Sequence, residues 1–142
     1  MKFAGNPQTI GVGDHVWKTC ADMQATALDG KVFTIPSNFY FDGCSSPRFL
    51  HTWFPPDDGI YGCAVLLHDY LVRNRKLLDL SLADCHSYFG EALRACEVDP
   101  ERAKAMYLTV YIFNWLSAGP GDGTPPNGMM RRVKHIELEA AT

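Results

Sequence analysis

The amino-acid sequence predicts an α+β protein: a short N-terminal β-hairpin or meander followed by three helices, with the first helix packed antiparallel on the second. Three observations predict this class. An Asp29-Gly30 turn stands just before a β-branched and aromatic run, Val32-Phe33-Thr34-Ile35, which is a hairpin signal. The second half of the chain carries apolar residues at helical spacing between capping residues. Between these halves, residues 47–56 are rich in proline and aromatics, which suits neither regular helix nor central strand.

The elements follow in chain order. His15–Cys20 is short, partly alternating and reads as strand. Pro36 ends the 28–35 segment or marks an edge, and Phe39-Tyr40-Phe41 leads into Asp42-Gly43. Phe49, Leu50, Trp53 and Phe54 form either a flap over the core or an apolar rim that meets lipid or a partner protein. A first helix is predicted from about Asp58 to Asn74, capped by Asp57 or Asp58. A second runs from Ser81, its cap, to Cys96, with Leu82, Cys85, Phe89, Ala92, Leu93 and Cys96 as its apolar stripe. A third begins at Asp99-Pro100-Glu101, which supplies a cap, a proline at the first helical position and an acid in the first turn. Its body, Ala105 to Leu116, is apolar on almost every face and is expected to be the central buried helix. Gly119-Pro120-Gly121-Asp122-Gly123-Thr124-Pro125-Pro126 breaks it, and residues 129–142 suit a short helix or a strand equally. No internal repeat is present. At 142 residues the chain reads as one domain, with strands and loops over 1–57, a helical core over 58–117, and a Gly/Pro loop and tail over 118–142.

Composition narrows the function classes. With 46% hydrophobic and 20% charged residues the chain is expected to be globular, without long disorder. A net charge of -3 argues against a dedicated nucleic-acid binder. The local basic clusters, Arg73, Arg75 and Lys76, then Arg131, Arg132 and Lys134, read as solvated faces. No run is long enough to span a bilayer and the N-terminus lacks the usual signal-peptide pattern, so synthesis in the cytoplasm is expected. The five cysteines form no Cys-x-x-Cys pair, so mostly free, buried thiols are expected rather than a zinc knuckle.

The residues that carry chemistry centre on His68-Asp69, inside the apolar run Gly62 to Val72. Adjacent ionisable groups are costly to bury unless paired, hydrogen-bonded or metal-bound. Antiparallel packing of two short-linked helices brings Asp84 opposite His68 in the catalytic reading. A carboxylate there fixes the imidazole tautomer and leaves His68 to act as general base on water. Asp69, about 100° away around the helix, faces a different neighbour, for which the Asp42-Gly43 turn is the candidate. Carboxylates and a glycine carbonyl are hard oxygen ligands suited to calcium, and calcium there would polarise an ester carbonyl. The competing reading makes the same residues a satisfied polar core. His51 with His68-Asp69 suggests a two-His, two-Asp phosphohydrolase, against which the prolines around His51 argue. A zinc site from Cys44, Cys63, His68 and His86 lacks standard spacing. His86 otherwise reads as structural, His15 and His135 as surface residues, and Met129-Met130 as packing.

These residues carry two resemblances. Asp42-Gly43-Cys44-Ser45, Cys63-x-x-x-x-His68-Asp69-Tyr70-x-x-Arg73-Asn74 and Asp84 resemble secreted phospholipase A2, most of all its small prokaryotic and fungal branch, over about residues 40–97. The resemblance implies His68 as general base, Asp84 as the residue orienting it, and Asp42, the Gly43 carbonyl and Asp69 as calcium ligands. It also implies a disulfide between Cys44 and Cys63. The second resemblance covers more of the chain. The order Ile35-Pro36-x-x-Phe39, Asp42-Gly43-x-Ser45-x-Pro47-Arg48, Tyr61, Leu67-His68-Asp69-Tyr70-Leu71, Ala83-Asp84, then Arg102 through Tyr107 is similar to a phage and prophage domain family of unknown function, number thirteen fifty-three. Members of that family commonly sit among tail and lysis genes. It implies a virion- or tail-associated accessory protein, made in the host cytoplasm, whose partners are other phage structural proteins and the lipid surface of the host envelope. Two functions are therefore expected in competition. One is a calcium-dependent hydrolase of host-envelope esters, acting in entry or lysis. The other is a non-catalytic structural or adaptor protein of the tail or baseplate, whose His-Asp network only holds helices together.

Overall fold

The computed structural model describes residues 1–5, 9–13, 16–41, 62–117, 119–124 and 141. Six short strands, β1 (Lys2–Ala4), β2 (Thr9–Gly13), β3 (Val16–Thr19), β4 (Met23–Thr26), β5 (Val32–Ile35) and β6 (Tyr40–Phe41), precede three helices, α1 (Gly62–Asn74), α2 (Leu82–Ala95) and α3 (Pro100–Ser117). The strands make two antiparallel three-stranded sheets, ordered β1-β4-β5 and β2-β3-β6. The fold is α+β, as the sequence predicts.

The β4–β5 hairpin forms where the Asp29-Gly30 signal lies. Gly30 N donates to Ala27 O at 3.0 Å and Ala27 N to Lys31 O at 2.9 Å, which leaves a three-residue loop, Leu28-Asp29-Gly30. Gly30 takes φ 88°, the left-handed position that such loops reserve for glycine. Asp29 Oδ1 accepts from Lys31 N at 3.0 Å. Pairing Met23 with Ile35 and Ala25 with Phe33 puts these four side chains on one buried face, while Gln24, Thr26, Val32 and Thr34 point outward. The loop is also clipped to α2: Tyr88 Oη donates to Asp29 Oδ2 at 2.5 Å, and Leu28 N donates to Glu91 Oε1 at 2.6 Å.

The crossing between the sheets hangs on Thr19, which is fully buried at the end of β3. Its Oγ1 donates to Pro36 O at 2.8 Å and accepts from Phe39 N at 2.9 Å. Its backbone N donates to Phe39 O at 3.1 Å and its carbonyl accepts from Asn38 N at 2.8 Å. Pro36 ends β5, and Asn38, with φ 59°, turns the chain back toward β6.

The helix ends follow their caps. Ser81 Oγ accepts from Asp84 N at 3.0 Å while Asp84 Oδ2 accepts from Ser81 N at 2.8 Å, a reciprocal capping box on α2. Beyond α2, Glu97 N bonds Arg94 O and Val98 N bonds Leu93 O, so the chain leaves through a left-handed residue, Glu97, with φ 57°. Asp99 Oδ1 accepts from Glu101 N and Arg102 N and starts α3. The expected caps of α1, Asp57 and Asp58, lie outside the described residues, as do the 47–56 stretch, His15, His51, Met129, Met130 and His135.

One expectation is corrected. The central buried helix is α1, in which every residue from Ala64 to Asp69 is buried, together with Leu71. On α3, Met106, Val110 and Asn114 are buried, whereas Leu108, Tyr111 and Ile112 are 46, 44 and 57% exposed. A helix apolar on all sides must still bury whichever face meets its neighbours, and the main described neighbour of α3 is α2. The Gly/Pro segment that follows α3 is stitched to the end of α1: Lys76 N donates to Gly121 O at 2.9 Å and Gly123 N to Arg73 O at 2.8 Å. Gly121 has φ 74°, and a Cβ there would lie 2.6 Å from Arg75 Cγ, so both conformation and space require glycine. Among the described residues no helix is long and apolar enough to cross a membrane.

The Thr19 junction makes a direct prediction. Thr19→Val keeps the shape but strands the Pro36 carbonyl and the Phe39 N–H. Stability is expected to fall by about 2–4 kcal/mol, read from urea unfolding midpoints.

Candidate functional site

His68 sits in the middle of α1 and is 2% exposed. Its Nε2 lies 3.2 Å from Nδ1 of His86 on α2, with the rings stacked at 5.3 Å and 21°. Phe89, one turn further along α2, also packs on His68, at 4.7 Å between ring centroids. His86, also 2% exposed, continues the contact outward to α3, with Tyr111 at 5.0 Å and Tyr107 at 6.4 Å. The seam between α1 and α2 therefore holds two imidazoles in an aromatic setting.

The protonation state follows from this environment. Burial, with His86 beside it, holds His68 down at about pKa 3. Burial lowers His86 as well. Both rings are neutral at pH 7, and one N–H between them makes one hydrogen bond. The outer nitrogen of His86, Nε2, is buried and finds no partner among the described residues.

Asp84 is not the residue opposite His68. It is exposed in the first turn of α2, where Ser81 Oγ donates to its Oδ2 at 2.7 Å and Ser81 N adds a second bond. These two bonds hold its carboxyl below the usual carboxylate range. The reason for the correction is helical phase. Residues 84 and 86 are about 200° apart around a helix, so a helix that turns His86 to α1 turns Asp84 away. His86, which the sequence reads as structural or as a zinc ligand, is the residue that meets His68, and a histidine on an apolar stripe carries no local signal of which partner it will meet.

Asp69 is buried beside His68 on α1. It shares a side of α1 with Arg73, about 40° away around the helix. Arg73 Nη1 donates to Tyr40 O at 2.7 Å and the guanidinium lies 4.4 Å over the Phe39 ring, so this side of α1 meets the end of β6. His68 and Asp69 thus diverge toward α2 and β6. Asp42 and Gly43, the other two expected calcium ligands, follow β6 and lie outside the described residues, as does Cys44. Cys63 carries a free thiol. Among the described residues no group of three His, Cys, Asp or Glu side chains is placed to hold a metal.

The family model described as "Protein of unknown function (DUF1353)" matches residues 17–110. The chain belongs to the DUF1353 family. The matched segment runs from β3 into α3 and contains Asp42, Gly43, His68, Asp69, Asp84 and His86. No curated protein and no solved structure matches the chain.

Two predictions follow for this DUF1353 site. His68 in the unfolded chain titrates near its ordinary value of 6.5 but in the folded protein near 3, so between these values the unfolded state binds the extra proton. Stability is therefore full above about pH 6.5 and is lost as pH falls, by about 1.4 kcal/mol per unit for one such group, with His86 acting in the same direction. Carboxylates with lowered pKa act below about pH 4.5, so urea midpoints between pH 4.5 and 6.5 read the imidazoles, and His68→Leu is expected to flatten the slope. Asp84→Asn is expected to cost about 1 kcal/mol through the cap. It should leave that slope and the imidazole NMR signals of His68 unchanged.

Proposed function

We propose that this chain is a non-catalytic structural or adaptor protein of a phage tail or baseplate, in which His68 and His86 fasten α1 to α2. The observation that carries this reading is the state of His68: sealed at 2% exposure, bonded to a second imidazole, and held near pKa 3. A general base needs access to water and a pKa near the working pH, and His68 has neither. Its partner is neutral His86, where a catalytic imidazole would have a carboxylate. The phage setting rests on the family likeness of the Asp42-Gly43, His68-Asp69 and Ala83-Asp84 segments. The apolar outer side of α3, Leu108, Tyr111 and Ile112, supports a role in assembly rather than in turnover.

One observation favours the second reading, a phospholipase A2-like, calcium-dependent hydrolase of host-envelope esters. The Asp69 side of α1 meets the end of β6, from which Asp42 and Gly43 follow. In that reading Asp69, Asp42 and the Gly43 carbonyl would hold calcium, which would polarise the ester carbonyl.

The test uses purified full-length protein and vesicles of phosphatidylethanolamine and phosphatidylglycerol with millimolar calcium. The structural reading expects no fatty-acid release above that of His68→Asn. It also expects His68→Asn to lower stability by about 1–3 kcal/mol, through the bond lost to His86, and the protein to be present at fixed stoichiometry in phage particles. Fatty-acid release that disappears both with EGTA and in folded His68→Asn would replace this reading with the hydrolase.

A further inference from the structure

Aspartate followed by glycine is the step of a polypeptide most open to isomerisation. The glycine nitrogen attacks the aspartate side-chain carboxyl, water leaves, and a five-membered succinimide ring closes. Water then opens the ring at either carbonyl, which restores aspartate or leaves isoaspartate, with one more methylene in the main chain. One water leaves and one returns, with no change of oxidation state. Glycine favours closure because it has no Cβ to hinder the approach. The chain has four such steps, Asp29-Gly30, Asp42-Gly43, Asp58-Gly59 and Asp122-Gly123. The second and third lie outside the described residues.

Ring closure needs a protonated carboxyl, freedom for that carboxyl to swing onto the glycine nitrogen, and release of the glycine N–H. At Asp29 the fold opposes all three. Gly30 N donates to Ala27 O at 3.0 Å. Asp29 Oδ1 accepts from Lys31 N at 3.0 Å and Oδ2 from Tyr88 Oη at 2.5 Å, so both carboxylate oxygens are held. The Tyr88 bond first, and the Lys31 bond after it, keep the carboxyl below the usual carboxylate range. Asp122 shares the local part of this arrangement. Its Oδ1 accepts from Thr124 N at 3.0 Å, and Gly123 N donates to Arg73 O at 2.8 Å. Both aspartates thus make a turn with the residue two positions on, and both glycines are left-handed, with φ 88° and 90°. What distinguishes Asp29 is a hold from another element. Tyr88 lies 59 residues further along the chain, on α2, and is fixed edge-on against Phe33 of β5 at 5.0 Å between ring centroids.

We propose that Asp29-Gly30 is a latent isoaspartate site in the β4–β5 loop, which Tyr88 of α2 keeps closed. When α2 releases the loop, the carboxyl is freed and the local sequence decides its fate. The added methylene lengthens a loop of three residues, Leu28-Asp29-Gly30, and works against the register that pairs Met23 with Ile35 and Ala25 with Phe33. A transient opening between α2 and the hairpin is thereby recorded as a lasting covalent change.

The experiment incubates the purified full-length protein for weeks at neutral pH, both folded and unfolded in urea. Isoaspartate is then mapped by peptide with an endoprotease that cuts before aspartate but not before isoaspartate. Urea gives the rate that sequence alone sets. Folded wild-type protein is expected to isomerise at Asp29 roughly tenfold more slowly than that, since reaction waits on local opening. Tyr88→Phe keeps the ring on Phe33 and loses only the hydroxyl. It is expected to speed the folded-state reaction at Asp29 by roughly fivefold, the worth of one partly exposed bond to a carboxylate, and to leave Asp122 unchanged. Equal rates at Asp29 in folded and unfolded protein, or no change in Tyr88→Phe, would overturn the proposal. An equal rise at Asp122 would also overturn it, because general loosening would then account for the effect.

Discussion

The structure depends on one buried contact between two neutral imidazoles. An imidazole has a donor and an acceptor nitrogen only while it is neutral. Two such rings, 3.2 Å apart, make a bond that needs no counter-ion. A charged group at the same place would need a carboxylate partner drawn into the seam, at a desolvation penalty that paired burial rarely returns in full. The His68–His86 bond thus allows a polar link inside an apolar helix pair without burying charge. Protonation of either ring breaks this logic, since it leaves a buried cation among Phe89, Tyr107 and Tyr111.

Around that seam the rest of the molecule is tied by single polar clasps rather than by extended sheets. Strands of two to five residues have little independent stability. Each is therefore pinned to something larger. Tyr88 and Glu91 on α2 hold the β4–β5 loop, Arg73 on α1 holds the end of β6, and Thr19 joins the two sheets. Because both helices send out clasps, a change in how α1 sits on α2 would be felt in both sheets.

The parts legible in the sequence were those decided locally. Gly30 in the hairpin loop, the Ser81 cap, the Asp99 cap and the helix-ending glycines act within a few residues, and each stands where its local pattern placed it. Relations between elements were less legible. A carboxylate is the usual partner of a working histidine, and on that ground alone the sequence points Asp84 toward α1. Helical phase instead turns His86 inward, and the apolar fit of Phe89 and Leu93 sets that phase. The exposure of Leu108, Tyr111 and Ile112 was equally hidden, since an all-round apolar helix does not announce which side meets its neighbours.

The capping box also explains why Asp84 and His86 divide their labour as they do. The N3 position of α2 rewards a short acid that can reach back to the N-cap backbone, and that geometry points the carboxylate along the helix end toward solvent. Two residues later the chain has turned far enough to face α1, where an ionised carboxylate would have to be buried against His68. A neutral imidazole fits there with no charge to bury. The acid thus serves the helix end and the imidazole serves the seam. A catalytic dyad at this seam would need the reverse, with the acid buried at 86, the cap at 84 kept by another residue, and His68 open to water. The observed arrangement is the one expected of a fastening.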